Sequence, residues 1–281
     1  MTVAEAIARA RDTLLRAGIP SDEAPGDAEV LARHALGWDL TRLAASMREA
    51  ASNDFQEQYE RLIARRLRRE PVSQIVGFRE FWGLDFEVSR DVLTPRPETE
   101  LIVAAALDDA RRRMPQLIVD VGTGSGCLAV ALAMEFPVAR LIATDISLEA
   151  LAVARRNALR HQVSSRIAFL HTDLLPPVPE IDLLVSNPPY VPLRDSASLA
   201  PEVRNYEPHV ALFGGADGLD VYRRLLRDGR REIDHDGRCI LELGYDQARA
   251  VTALAGKEGW RVVRIDRDLQ GIERVMTLQP S

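Results

Sequence analysis

The chain has 281 residues, 46% of them hydrophobic and 28% charged, which is enough apolar material for one large domain or two small ones. Such a composition excludes a disordered or fibrous chain, which would show low hydrophobicity or a periodic glycine or proline excess. With 36 Lys and Arg against 42 Asp and Glu, the net charge is −6. That sign argues against a protein whose main task is gripping nucleic acid, because phosphate contacts need a basic surface.

Cys127 and Cys239 make neither a disulfide framework nor a zinc site unaided, and the five histidines show no metal-ligand spacing, so no metal is expected. Glu5 and Arg9 interrupt the first apolar stretch, which therefore does not read as a signal peptide. No apolar run approaches the roughly 20 residues of a membrane helix. The expectation is a soluble, reduced, cytoplasmic protein.

Residues 1–70 read as a helical domain. Val3, Ile7, Ala10, Leu14 and Leu15 keep the spacing of one buried stripe, and Gly18 with Pro20 closes that helix. Asn53 and Gln56 resemble a capping box opening a helix through Leu67. The run Arg61, Arg65, Arg66, Arg68, Arg69 at its end reads as a solvated helix face beside a negative helix terminus, with a partner-binding patch as the second reading. Residues 71–93 change character: aromatic and β-branched residues bracket Gly77 and Trp82-Gly83, which suggests a hairpin linker with Phe81 and Phe86 on its arms. The segment from Thr94 to Glu100 ends the extended structure, and Leu101 to Ala110 follows as an apolar helix.

The third region, 94–281, alternates strand and helix signals. Leu117–Val121, Arg140–Thr144, Arg166–Leu170, Ile181–Ser186 and Arg238–Leu243 are short apolar runs of the buried parallel type. Arg261–Asp266 and Arg274–Leu278 form a candidate antiparallel edge. The expected class is α/β, a doubly wound domain behind a small helical one.

Within that frame, Asp120 and the loop Gly122-Thr123-Gly124-Ser125-Gly126 lie where the first strand turns into a helix. A nicotinamide-binding loop would place its third glycine where Cys127 stands, so the dinucleotide spacing fails. The tighter spacing suits S-adenosylmethionine, which has no pyrophosphate. Asp145, about 20 residues on, is where such folds bind ribose hydroxyls. Asp173-Leu174 follows the third strand, placed to accept from the adenine amine and to cover its ring, with a loop or cap aspartate as the plainer reading.

Asn187-Pro188-Pro189-Tyr190 ends the fourth strand. Two prolines remove backbone donors and leave carbonyls turned outward, and Asn187 adds a side-chain carbonyl. Together they accept both hydrogens of one planar NH₂ group, aiming its lone pair at a methyl group. Tyr190 stacks on that group and stabilises the growing positive charge. Adenine, cytosine and glutamine amines all qualify as acceptors of the methyl.

At these residues the sequence resembles the HemK/PrmC family of protein-glutamine methyltransferases. The likeness includes Pro71–Gly77, Leu93–Glu100, Gly122–Gly126, Asn187–Tyr190, Tyr206-Glu207-Pro208, Ala211–Gly215 with Asp217-Gly218, and Glu242-Leu243-Gly244. It implies an N-terminal helical substrate-recognition domain, a hairpin linker and a Rossmann-like S-adenosylmethionine-dependent methyltransferase domain. The implied substrate is the glutamine of the Gly-Gly-Gln loop of class-1 peptide chain release factors, with no direct nucleic-acid or membrane partner. By the same resemblance Gly122–Gly126, Asp145, Asp173, Leu174 and Asn187 hold the cofactor, Asn187–Tyr190 grip the glutamine, and Glu98 and Glu100 either face the pocket or start a helix. The alternatives are a ribosomal-protein glutamine methyltransferase and a DNA adenine methyltransferase. The latter needs a basic recognition domain, whereas residues 1–70 hold 11 arginines against 12 acids.

Overall fold

Thr2 opens the first helix with a reciprocal cap. Its hydroxyl accepts from the Glu5 amide, and the Glu5 carboxylate accepts from the Thr2 amide. The computed structural model describes residues 1–178 and 180–281. Helices α1 (Val3–Arg16), α2 (Ala24–Leu36), α3 (Leu40–Ser46), α4 (Asn53–Leu67) and α5 (Val72–Val76) form a compact unit with residues 201–206. Its core joins Leu14, Leu31, Leu62 and Ile63 to a stacked Phe55–Tyr59 pair whose ring centroids are 5.2 Å apart.

Two expectations change in this unit. The cap of α4 is Ser52, whose hydroxyl accepts from the Phe55 amide, while Gln56 turns back to the Ala51 carbonyl. The arginine run is not a uniformly solvated face. Arg61 is exposed beside Glu57, but Arg66 is 2% exposed and binds Asp27 and Glu202 at 2.7 Å each and Glu23 at 3.1 Å. Its partners come from α2, the turn before it and residues 201–206, so neighbouring sequence carries no sign of them.

The second unit comprises residues 78–200 and 207–281. It begins with a hairpin of β1 (Phe78–Phe81) and β2 (Leu84–Glu87), shorter than the expected linker because residues 72–76 are helical. Trp82 and Gly83 both have positive φ, the turn whose twist matches the flanking strands. Trp82 accepts that strained conformation because its amide donates to Glu100 at 2.8 Å and its indole to Glu135 at 2.7 Å.

The remaining elements are α6 (Glu100–Ala110), β3 (Leu117–Val121), α7 (Cys127–Glu135), β4 (Arg140–Asp145), α8 (Leu148–Arg160), β5 (Ile167–His171), β6 (Ile181–Ser186), α9 (Pro201–Tyr206, in the first unit), α10 (Asp220–Glu232), β7 (Ile233–Glu242), α11 (Ala248–Lys257), β8 (Trp260–Arg267) and β9 (Glu273–Pro280). They build a seven-stranded sheet in the order β5-β4-β3-β6-β7-β9-β8, with β9 antiparallel to both its neighbours. Helices α6 and α7 pack on one face with Phe81 and Phe86, while α10 and α11 cover the other with Tyr222, Leu225 and Val251. Apolar burial on both faces is why the central strands read as continuous hydrophobic runs. The chain winds from β3 outward to β5, then returns to β6 on the other side of β3. A crevice therefore opens at the carboxyl ends of β3 and β6. Among the described residues no helix is long and apolar enough to cross a membrane.

Candidate active site

Four strand ends meet at this crevice: β3 runs into the glycine loop, β4 ends at Asp145, β6 leads to Asn187, and β7 ends at Glu242. A cavity of about 250 Å³ lies there, bordered by Gly122, Gly124, Asp145, Leu174, Asn187 and Pro189. Ile146, Val210 and Phe213 give it an apolar wall. A smaller space of about 40 Å³ continues between Thr94–Arg96 and Thr123–Ser125.

The glycine loop is held by its own hydrogen bonds. The Gly122 and Thr123 amides both donate to the Thr144 carbonyl at 2.9 Å, and the Thr123 hydroxyl donates to buried Asp120 at 2.6 Å. Burial pushes the Asp120 carboxyl up to about 7. Gly122 and Gly124 have φ of +71° and +54°, and a Cβ on either would meet nothing within 4 Å, so the space above the loop is open. Gly126 has a different task. It borders neither cavity, and a Cβ there would come within 3.0 Å of Ala154 on α8.

Asp145 accepts from the Gly124 amide through one oxygen and from the Ser147 amide through the other, both at 2.9 Å. Burial raises its pKa, opposed by these amides. Asp173 also borders the cavity, where it pairs with Arg224 of α10 at 2.6 Å. Leu174 adopts φ +66° and its carbonyl accepts from the Thr144 hydroxyl at 2.8 Å, which fixes the turn over the cavity.

Asn187 is half-buried and donates through Nδ2 to the Thr99 hydroxyl at 3.0 Å. Pro188 is buried and Pro189 half-buried. Tyr190 does not border the main cavity. It packs toward the α10–α11 side of the sheet, its hydroxyl donating to Glu242 at 3.1 Å and its carbonyl accepting from Gln247 at 2.9 Å. Residues 191–193 then pair with a second loop: the Val191 amide donates to the Leu212 carbonyl, the Gly214 amide to Val191, and the Leu193 amide to Gly215. Arg96 donates to both oxygens of buried Glu207 at 2.8 Å, which ties the 94–96 segment to the same loop.

The PrmC N-terminal domain family matches residues 5–77, and the methyltransferase small domain family matches residues 99–202. A release factor glutamine methyltransferase of Cereibacter sphaeroides is 44% identical over 278 residues, covering 99% of this chain and 98% of that protein. One from Caulobacter vibrioides is 40% identical, covering 98% and 96%. The chain belongs to the release factor glutamine methyltransferase family. A solved methyltransferase from Pyrococcus furiosus superposes with a TM-score of 0.52 at 17% identity, over 76% of this chain and 95% of that one, a likeness of fold.

The protein is thus a methyltransferase of the Rossmann-like class, and its methyl donor is S-adenosylmethionine. The open space over Gly122 and Gly124 and the carboxylate of Asp145 at the cavity edge fit that group. Thr99, Glu207, Arg224 and Glu242 belong to the site's surroundings without having stood out individually in the sequence. Thr99, Glu207 and Glu242 did fall inside the motif stretches. Glu100 binds the hairpin amide of Trp82 and borders neither cavity. Among the described residues one group could gather three metal donors, Asp234, His235 and Asp236. It lies at the amino end of β7, away from the crevice.

Proposed function

We propose that this protein methylates the side-chain amide nitrogen of the glutamine in the Gly-Gly-Gln loop of class-1 peptide chain release factors. One observation carries the chemistry: Asn187 borders the same cavity as Gly122, Gly124 and Asp145, so an amide acceptor stands at the edge of the donor cleft. Relatives of that name at 44% and 40% identity over nearly the whole chain support the choice of substrate.

S-adenosylmethionine supplies an electrophilic sulfonium methyl when bound. The loop Gly122–Gly126 with Asp145, Asp173, Leu174 and Asn187 forms its site in this reading, with Asp145 accepting from the ribose hydroxyls. The Asn187 Oδ1 and the Pro188 carbonyl accept the two hydrogens of the glutamine NH₂. Pro189 lines its slot, and Tyr190, packed on the α10–α11 side, braces that segment through Glu242 and Gln247. Holding both N–H bonds on acceptors aims the nitrogen lone pair for an in-line displacement, so positioning and fixed dipoles lower the barrier. In that displacement the N–C bond would form as the donor's S–C bond breaks, with a neutral thioether as leaving group and one amide proton passing to solvent. The helical region, residues 1–70, serves as the substrate-recognition domain, and 71–93 as its linker to the transferase, 94–281.

The test is methyl transfer from S-adenosylmethionine to unmodified release factor, read by peptide mass spectrometry. One added methyl on the Gly-Gly-Gln peptide is expected. Transfer only to a ribosomal protein or to DNA supplied in parallel would overturn the release-factor reading while keeping the methyltransferase. Independently, Asp145→Ala should weaken S-adenosylmethionine binding about 10- to 100-fold, since charge-assisted hydrogen bonds to the ribose are lost. Calorimetry checks this, and unchanged affinity would remove the ribose assignment.

A further inference from the structure

Glu242 is 1% exposed and carries a buried carboxyl that touches neither the amide slot nor the donor cleft. Its Oε2 accepts from the Thr99 hydroxyl at 2.5 Å and its Oε1 from the Tyr190 hydroxyl at 3.1 Å. Thr99 in turn accepts from Asn187 Nδ2 at 3.0 Å. The direction of this chain follows from proton counting. An ionised carboxylate only accepts, and a hydroxyl has one proton to give. With that proton committed to Glu242, Thr99 can only accept from Asn187. The Asn187 amide must then turn its NH₂ toward Thr99 and its Oδ1 toward the cavity. A reversed amide would set its own NH₂ against the NH₂ of the substrate, donor against donor.

We propose that Thr99 and Glu242 are positioning residues which lock Asn187 with its carbonyl facing the substrate amide. The proposal rests on the role given to Asn187 above and adds the device that fixes its orientation.

The surroundings of Glu242 make the lock pH-dependent. Glu98 and Thr99 face it from the segment before α6, Tyr190 from the loop after β6, Tyr222 from α10, Cys127 from α7 and Arg274 from β9. Burial and Glu98 raise its pKa, the two hydroxyls and Arg274 lower it, and the outcome is a carboxyl pushed up to about 7. Above that pH the carboxylate holds the Thr99 proton. Below it, a protonated Glu242 donates to Thr99, whose proton is then free to turn toward Asn187 and release the amide. Turnover should therefore rise as pH increases through about 7.

The experiment compares Thr99→Val, Thr99→Ser, Glu242→Gln and Asn187→Ala in the full chain, with release factor as substrate. Turnover is measured from pH 6 to 9, cofactor affinity by calorimetry and stability by melting. Thr99→Val should lose about 10- to 100-fold in kcat with cofactor affinity within about twofold, whereas Glu242→Gln keeps one acceptor oxygen for Thr99 and should hold most of its turnover at pH 8. Thr99→Ser should stay near wild type because it keeps the hydroxyl. Glu242→Gln should lose the rise near pH 7. If Glu242→Gln proves unstable, the Val and Ser pair decides by itself, since a merely structural Thr99 would tolerate the isosteric valine. Wild-type kcat in Thr99→Val, or serine as poor as valine, would overturn the proposal. An inactive Asn187→Ala beside a normal Thr99→Val would sink only the lock, whereas an active Asn187→Ala would sink the role of Asn187 itself.

Discussion

Replacing Asn187 with alanine is expected to lower kcat about 10²- to 10³-fold, the usual effect of removing one preorganised polar group from a transition-state site. The planar amide of glutamine is a poor nucleophile because its lone pair is delocalised into the carbonyl. Transfer requires the nitrogen to pyramidalise, and acceptors on both N–H bonds favour that change. Alanine at 187 removes one acceptor and the half-buried side chain that holds it. The fold should tolerate this loss, since among the described residues the only side chain hydrogen-bonded to that of Asn187 is the Thr99 hydroxyl, which keeps its bond to Glu242. Single-turnover methylation beside calorimetric binding of S-adenosylmethionine separates the two effects. Wild-type turnover would refute the mechanism, and a parallel collapse in cofactor affinity would reassign Asn187 to the donor.

Gly218→Ala should unfold the substrate side of the site and abolish activity. Gly218 has φ +79°, and a Cβ there would stand 2.3 Å from the Tyr190 carbonyl oxygen and 2.8 Å from Gln247 Nε2, which that carbonyl binds. The left-handed backbone costs roughly 1–3 kcal/mol for a side chain. Relieving the clash by moving packed backbone costs about as much again. Gly271→Ala provides the control: its φ is +81° but nothing lies within 4 Å of its Cβ, so it should feel the backbone term alone. Melting of the two variants checks the difference, and equal losses would mean that close approach to Tyr190 does not matter. Gly214 meets the clash without the backbone term, with a Cβ 2.5 Å from the Pro189 carbonyl oxygen. Gly214 and Gly218 are thus required by the backbone of the Asn187–Tyr190 segment they press against.

The sequence alone was enough to set out the central strands, the glycine loop and the order of the α/β elements. Parallel strands buried on both faces must be apolar throughout, so Ile181–Ser186 announces itself, and a strand-to-helix turn that runs through left-handed backbone, as at Gly122, Gly124 and Gly126, calls for glycine. Asp145 and Asn187 were legible because strand ends in such a sheet fall at one edge. Charged and polar pairings were not. Arg66 read as one of a solvated run, yet it is buried against acids 39, 43 and 136 residues away. Thr99 and Glu242 are 143 residues apart, and neither position differs locally from an ordinary helix start or strand end. Periodicity records which face of an element is dry. Which polar groups meet on that face is decided only when the tertiary fold removes water and leaves each buried charge no partner but the one the chain brings to it.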